Sequence, residues 1–356
     1  MDHPTTPTPR APDPDFWRHR RVLVTGHSGF KGAWLAAWLC RLGAEVAGFA
    51  LPPDTIPHLP TDAAIADLGG DIRDAAALAA AMGRFAPEIV LHLAAQPLVR
   101  RAYSDPIETF AANVMGTANL LQAARTNAAL RAIVVVTSDK CYDNPPGRPA
   151  HPFAEQARLG GHDPYSASKA CAELVAASFR ASYGLPVATV RAGNVIGGGD
   201  WSPDRLVPDC IRALVARQPV VLRHPAATRP WQHVLDPLAG YLLLAERLAE
   251  DPGFAQAYNF GPPADDIRPV AAVVGALAAC WGDGARWTQA DGHHPHEAPT
   301  LAIDAAKARA RLGWRPRLPL DQAIAWTAGW YKSHQNGADP GRLIDRQLTA
   351  YEALDA

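Results

Sequence analysis

The stretch Val22-Leu23-Val24-Thr25-Gly26-His27-Ser28-Gly29-Phe30-Lys31-Gly32 constrains the fold of this chain more than any other. It begins as a short β-branched run, which reads as a buried strand. Glycines follow at i, i+3 and i+6, and a helical pattern starts at once, with Phe30, Trp34 and Trp38 on one face and Leu35, Leu39 and Leu42 beside it. Strand, glycine turn and helix together form a device for holding a pyrophosphate. Gly26 permits the tight turn, Gly29 lets backbone approach the phosphates, and Gly32 lets the helix pack against the strand. The alternative is a glycine-rich turn with no ligand. Trp34 and Trp38 read as core.

The chain has 356 residues, of which 48% are hydrophobic, enough for a sizeable core in two domains or one domain with a lobe. A formal net charge of −1 gives no bulk attraction to nucleic acid or anionic membrane, so an anionic ligand must be held by local groups. Cys40, Cys141, Cys171, Cys210 and Cys280 lie far apart without a C-x-x-C pair, which suits a reducing compartment and small core positions. No run of 18 apolar residues and no leader-like apolar segment occurs, and the expected location is the cytoplasm.

The rest of the chain alternates strand and helix patterns. Glu45 to Leu51 reads as a second strand whose end, Gly48-Phe49-Ala50-Leu51, lacks the acidic residue that holds ribose hydroxyls in NAD-binding folds. A short third strand leads to Gly70-Asp71-Ile72-Arg73-Asp74. Asp71 is expected beside an adenine edge with Ile72 next to it; the other reading is a helix cap, which Asp74 fits better. Residues 87–96 read as a fourth strand ending in Leu93, Ala94 and Ala95, small enough for backbone to lie against a flat cofactor, followed by Gln96. One long helix is expected from about Pro106 to Asn127, a fifth strand over 133–137 running into Ser138-Asp139-Lys140, a helix from Pro164 to about Tyr183, and a sixth strand over 187–191.

This alternation predicts an α/β fold with a doubly wound parallel sheet and a smaller mixed C-terminal substrate lobe. The expected bounds are a disordered tail over 1–15, a dinucleotide-binding domain over 16–193 to which about 231–261 return, a lobe from 194–230 and 262–335, and a C-terminal helix over 336–356.

Tyr165 and Lys169 stand one helical turn apart and point the same way. A phenol with a pKa near 10 is a poor base, and a neighbouring ammonium favours the phenolate. Ser138 is placed to hydrogen-bond the hydroxyl on which Tyr165 acts. A surface tyrosine with an unrelated lysine is the bland alternative.

With these motifs the sequence resembles the extended short-chain dehydrogenase/reductases acting on nucleotide sugars, from about Phe16 to about Lys332. The resemblance is closest to the CDP-glucose 4,6-dehydratases. It is carried by residues 24–32, Leu93-Ala94-Ala95-Gln96-Pro97-Leu98-Val99-Arg100, Thr137-Ser138-Asp139-Lys140-Cys141-Tyr142-Asp143-Asn144 and residues 191–201, with Arg229-Pro230-Trp231-Gln232-His233-Val234 and His294-Pro295-His296-Glu297-Ala298.

The resemblance implies a Rossmann-type sheet, NAD as cofactor, CDP-glucose as substrate and a homodimer or homotetramer pairing the helices near 106–127 and 165–183. It implies oxidation at C4, loss of water across C5–C6 and return of the same hydride to C6. Relatives carry an Asp-Glu pair after the Ser/Thr. Here Asp139 is the implied acid, while Lys140 stands where the carboxylate base would be and is a base only if neutral. Its other role is to position water and stabilise the enolate.

Gly26, His27, Gly29, Phe30, Lys31 and Gly32 are expected at the cofactor, with His27 and Lys31 flanking its pyrophosphate. Gln96, Asn194, Arg205, Arg229 and His296 are expected at the sugar nucleotide, each arginine being equally readable as a surface charge. His293-His294-Pro295-His296-Glu297 invites a metal, but Pro295 breaks the helical spacing and no second cluster completes a site, so no metal is expected. A 4-epimerase, a dehydratase for another nucleotide and a non-catalytic NAD(P)-binding regulator are the rival readings. An epimerase has no need of an acid at Asp139, and a regulator has no need of Tyr165, Lys169 and Ser138 together.

Overall fold

The computed structural model describes residues 10–52, 64–145, 151–282, 286–289 and 300–354. The first half contains α1 (Pro14–Trp17), β1 (Arg21–Thr25), α2 (Phe30–Arg41), β2 (Glu45–Phe49), β3 (Ile65–Asp67), α3 (Ala75–Phe85), β4 (Ile89–His92), α4 (Val99–Ser104), α5 (Pro106–Phe110), α6 (Gly116–Ala124), β5 (Ala132–Val136), α7 (Pro164–Tyr183) and β6 (Val187–Ala192). The second contains β7 (Val195–Ile196), α8 (Leu206–Val215), β8 (Val220–Leu222), β9 (Thr228–Pro230), β10 (Gln232–His233), α9 (Leu235–Glu250), β11 (Ala257–Phe260), β12 (Ile267–Pro269), α10 (Val270–Trp281), β13 (Trp287–Gln289), α11 (Ala306–Leu312), α12 (Leu320–Gln335) and α13 (Pro340–Glu352).

The central sheet has seven strands in the order β3-β2-β1-β4-β5-β6-β11, every neighbouring pair parallel. The chain reverses its direction of travel between β1 and β4, and the crevice beyond their carboxyl ends is where doubly wound sheets take ligands. Alternation along each strand builds two dry faces. Val22, Val24, Ile89 and Leu91 face α2 and α9, where Trp34 and Trp38 are buried as expected. Leu23, Val90, Ile133 and Val135 face the other way, toward Leu78 and Met82 of α3 and Leu120 and Leu121 of α6. Beside the main sheet stand three two-stranded ladders, β7–β10, β9–β12 and β8–β13. The stretch 229–234 pairs there with β7 and β12; the chain rejoins the central sheet with α9 and β11.

Several expectations are corrected. Residues 10–15 are ordered and not a tail. Asp13 caps α1, Trp17 is fully buried with its indole N–H on Glu246, and the Arg10 N–H bonds Gly313 O; residues 1–9 lie outside the described residues. The single helix expected over 106–127 is α5, a π-turn over Ala111–Met115 and α6, with α4 before them. The wider turn carries Asn113 inward, a usual place for such a bulge. Asp74 caps α3 as expected, leaving Asp71 outside the cap. Of the cysteines only Cys141 and Cys210 are core; Cys280 is exposed, and all five are free.

Candidate functional site

The glycine turn has the geometry that a dinucleotide needs. Gly26 takes φ +74°, and a Cβ there would fall 2.7 Å from the Ala94 nitrogen, so the β1 turn and the β4 end lie backbone on backbone. A side chain at Gly32 would collide with the Gly26 carbonyl. Gly29 is the N-cap of α2 with no side-chain partner, which leaves the first N–H groups of the helix directed at the crevice. On the opposite wall, Leu93 N donates to Thr25 O and Ala94 N to Thr25 Oγ1, with Ala95 next in line. This cradle, which any Cβ at Gly26 or Gly32 would fill, fits a bound dinucleotide.

The side chains around it are redistributed relative to expectation. His27 does not point along the turn. Its imidazole occupies the space that a side chain at Gly48 would need, its Nε2 is 3.7 Å from Asp67 Oδ1, and burial pushes its pKa down. Asp67 ends β3 in register with Gly48, so a carboxylate does stand beside the end of β2, supplied by the neighbouring strand. Asp71 is held by Arg73, whose guanidinium and N–H both bond the carboxylate and keep its pKa low. Ile72 is buried against Gly116 of α6. The Phe30 ring packs beneath Gly197.

Lys31 is turned into the catalytic end of the crevice. Its Nζ lies 6.0 Å from the Tyr241 ring centroid, and among the described residues it makes no hydrogen bond or ion pair. Burial, then the positive charges of Arg205 and Lys169, lower its pKa to about 7, with Asp139 and Asp200 pulling the other way. These four side chains share one electrostatic neighbourhood with Lys31.

At the β5 end the chain makes a single 3₁₀ turn over Asp139–Cys141, started by Ser138. Ser138 Oγ donates to Asp139 Oδ1 at 3.0 Å. Asp139 is 2% exposed, yet its Oδ2 has no partner. Lys140 is half-buried, with its N–H on Ser138 Oγ. Asp163 caps α7 and Pro164 opens it, so Tyr165 and Lys169 fall on the buried face. Lys169 Nζ donates to Val136 O at 3.2 Å, and burial lowers its pKa to about 8.

Burial pushes the Tyr165 phenol up to about 12. The strongest charge pulling it back is Arg205, ahead of the Ser138 hydrogen bond. The largest cationic influence on Tyr165 is Arg205, from the start of α8, while the Lys169 ammonium is aimed at a strand carbonyl. Asp200 Oδ2 holds Arg205 at 3.0 Å, and the Tyr331 hydroxyl caps Asp200 O. Nothing in the spacing of Arg205 announces this; it comes from the fold of the lobe over the sheet.

Two supports lie behind the site. Glu173, one turn beyond Lys169, pairs with Arg191 at 2.9 and 2.7 Å and accepts from Thr137 and Thr189. Asn113 ties α7 to the β4 loop through Ser168 Oγ and Gln96. Gln96 is corrected as a substrate contact: its amide bonds Thr109 Oγ1, Leu98 O and Leu98 N, which consumes it in shaping that loop. Asn194 sits between β6 and β7, with its carbonyl accepting from Gln232 N. Arg229 is buried on β9 with Nη1 on Thr228 O. His296 lies outside the described residues. Among the described residues no group of three His, Cys, Asp or Glu could hold a metal ion, and no helix is long and apolar enough to cross a membrane.

Residues 22–261 match the model of the NAD dependent epimerase/dehydratase family. The chain is 45% identical to the CDP-glucose 4,6-dehydratase of Salmonella typhimurium over 95% of its own length and 98% of the relative's. It is 31% identical to the dTDP-glucose 4,6-dehydratase of Streptomyces antibioticus over 90% and 94% of the two chains. Among solved structures, the dTDP-glucose 4,6-dehydratase of Streptomyces venezuelae, with NAD bound, superposes with a TM-score of 0.77 at 27% identity, covering 90% of this chain and 99% of that one.

Proposed function

The chain belongs to the NAD dependent epimerase/dehydratase family, and from that premise we propose that it is an NAD-dependent hydro-lyase converting CDP-D-glucose to CDP-4-keto-6-deoxy-D-glucose. The observation that carries this reading is the buried Asp139, with one oxygen on Ser138 beside Tyr165 and the other open. A site that only oxidised and reduced C4 has no use for that acid.

Gly26, Gly29 and Gly32, with Leu93, Ala94 and Ala95 opposite, hold the dinucleotide; Asp67 and His27 stand at its ribose end. Bound there, NAD would supply the hydride acceptor at C4 and the hydride donor at C6. Tyr165 takes the O4 proton while Ser138 holds the same oxygen, and Arg205 and Lys169 supply positive charge around the phenol. The resulting 4-ketone makes the C5 proton acidic. Lys140 removes that proton, or orients the water that does, and gives it back to C5 when the hydride enters at C6, while Asp139 gives a proton to the departing 6-hydroxyl. Asn194, Arg205 and Arg229 form the nucleotide-sugar side.

The lobe over 194–230 and 262–335 closes this crevice against the dinucleotide-binding domain. A homodimer through the outer faces of α4–α6 and α7 suits the exposed Tyr103, Ile107, Met115, Leu174 and Tyr183.

The test is incubation with NAD and, separately, CDP-, dTDP- and UDP-glucose, followed by mass spectrometry. Loss of one water from CDP-glucose alone is the expected result. A stereoisomer of unchanged mass identifies an epimerase, and dehydration of dTDP-glucose in preference identifies a different nucleotide specificity.

A further inference from the structure

His92 takes no part in the steps above, yet it stands between the two halves of the site. It ends β4 and, alternating with Leu91, faces α6 at 2% exposure. Its Nδ1 lies 2.7 Å from Oγ1 of Thr25, the residue before Gly26, and its Nε2 lies 3.1 Å from Thr117 Oγ1 on α6.

The hydrogens around this ring have one arrangement. Burial, and then the positive charge of Lys169, push its pKa down to about 3, so the imidazole is neutral and carries a single N–H. The Thr117 hydroxyl gives its hydrogen to Asn113 O at 2.7 Å, so Thr117 Oγ1 accepts from His92 Nε2. His92 Nδ1 is then an acceptor, and Thr25 gives it its only hydroxyl hydrogen. That leaves the Thr25 Oγ1 lone pairs to the Ala94 N–H at 3.2 Å. Beyond Thr117, the Asn113 amide gives one hydrogen to Gln96 O at 3.1 Å and the other to Ser168 Oγ at 2.8 Å. Ser168 gives its own hydrogen to Tyr165 O at 2.7 Å. Thr25, Thr117, Asn113 and Ser168 are each buried to 2% exposure or less, so water does not compete for these hydrogens. The line begins at the wall of the dinucleotide cradle and ends on the backbone of Tyr165.

Resting on the dehydratase reading, we propose that His92 is a positioning residue for C4 oxidation: as the Nε2–H tautomer it couples the β1–β4 wall of the cradle to the first turn of α7, and so sets Tyr165 against the cofactor.

The chemistry needs such a coupling. Hydride leaves C4 while a proton leaves O4, so the two acceptors must face neighbouring atoms at once. They rest on different elements, the cofactor on the ends of β1 and β4 and the base on α7. A misplacement of about 1 Å between them costs on the order of 10²-fold in rate. An imidazole presents an acceptor on one side and a donor on the other at a fixed separation. Asparagine can offer Thr25 an acceptor but falls short of Thr117. Glutamine can reach Thr117 with its N–H₂ but places no acceptor at Nδ1.

His92→Asn and His92→Gln therefore separate the two halves. The readouts are NAD affinity by titration and the rate of reduced-dinucleotide formation in a single turnover with CDP-glucose at saturating NAD. His92→Asn is expected to keep wild-type NAD affinity and to slow C4 oxidation by about 10–10²-fold. His92→Gln is expected to weaken NAD binding by about 10-fold, the scale of one buried hydrogen bond, and to oxidise at nearly the wild-type rate once saturated. Variants that do not split in this way, losing only melting temperature and keeping wild-type affinity and rate per folded enzyme, reduce His92 to core packing and overturn the coupling. Histidine-selective ¹⁵N spectra of the wild-type protein with NAD need no variant. A hydrogen on His92 Nε2 supports the line, and a hydrogen on Nδ1 breaks it and overturns the proposal even where neither variant folds. Wild type that forms no reduced dinucleotide and releases no water with CDP-, dTDP- or UDP-glucose sinks the dehydratase reading and the coupling with it.

Discussion

Two carboxylates sit within the same few turns of chain around β5 and α7, and they are treated in opposite ways. Glu173 and Asp139 are almost equally buried, at 4% and 2% exposure. Both oxygens of Glu173 are filled, by Arg191, Thr137 and Thr189. Burial alone would raise its pKa, but these hydrogen bonds and the Arg191 charge outweigh it and the pKa is lowered. Asp139 has one neutral hydroxyl on Oδ1 and nothing on Oδ2. A buried charge with every lone pair used is a support; a buried carboxyl left half open is a cost to the fold that only a substrate atom relieves. The difference separates scaffold from chemistry on the same helix and strand.

The sharpest way to press that contrast is at the phenol. Tyr165→Phe is expected to keep the melting temperature and lose about 10²–10⁴-fold in turnover on CDP-glucose; a folded variant with wild-type turnover removes Tyr165 from the chemistry. Glu173→Gln should do the reverse of an active-site change. It leaves Arg191 buried without its charge partner, at a cost of about 3–5 kcal/mol in chemical denaturation. A stability loss under about 1 kcal/mol would mean that the pair is not the support described.

Asp139→Asn should hardly move stability while slowing water loss by about 10²-fold. C4 oxidation remains possible in this variant, so reduced-dinucleotide absorbance should build up after rapid mixing. No build-up with slow turnover places Asp139 in the first step instead. A last expectation concerns Lys31. Its folded pKa, lowered by burial and its cationic neighbours to about 7, lies below the unfolded value, so the unfolded chain binds more protons between about pH 7 and 10. Stability of the cofactor-free protein should rise with pH across that window, and Lys31→Met should flatten the rise; an unchanged slope in the variant shows that the amine is not desolvated.

How much of this could be read beforehand depends on the range of the interaction. The glycine turn, the Asp163 cap and the Tyr165–Lys169 spacing are local, and local geometry decides them. The parallel doubly wound sheet followed from the alternation of strand and helix patterns. What could not be read depends on residues distant in sequence meeting in space. Lys31 turns toward Tyr241 because α9 passes under the sheet, Arg205 reaches Tyr165 because the lobe folds back, and Asp67 supplies the carboxylate that β2 lacks through β-register alone. Gln96 and Asn113 bond each other because a π-turn changes the phase of the helix, for which no residue pattern gave a signal.

Arg317 carries a consequence of another kind. Its Nη1 donates to Leu354 O at 3.2 Å and its Nη2 to Arg10 O at 3.4 Å, so one guanidinium touches both ends of the described chain. Trp38 and Arg41 of α2 also hold Glu352, and Glu246 of α9 holds Asp13 and Trp17. The backbone is thus nearly a closed ring in space. A gene in which a few linking residues join position 354 to position 10, and which opens at a surface turn far from the crevice, encodes the same packing in a rotated order. In such a circular permutant the strand-end cluster stays whole, because none of its contacts crosses the new break.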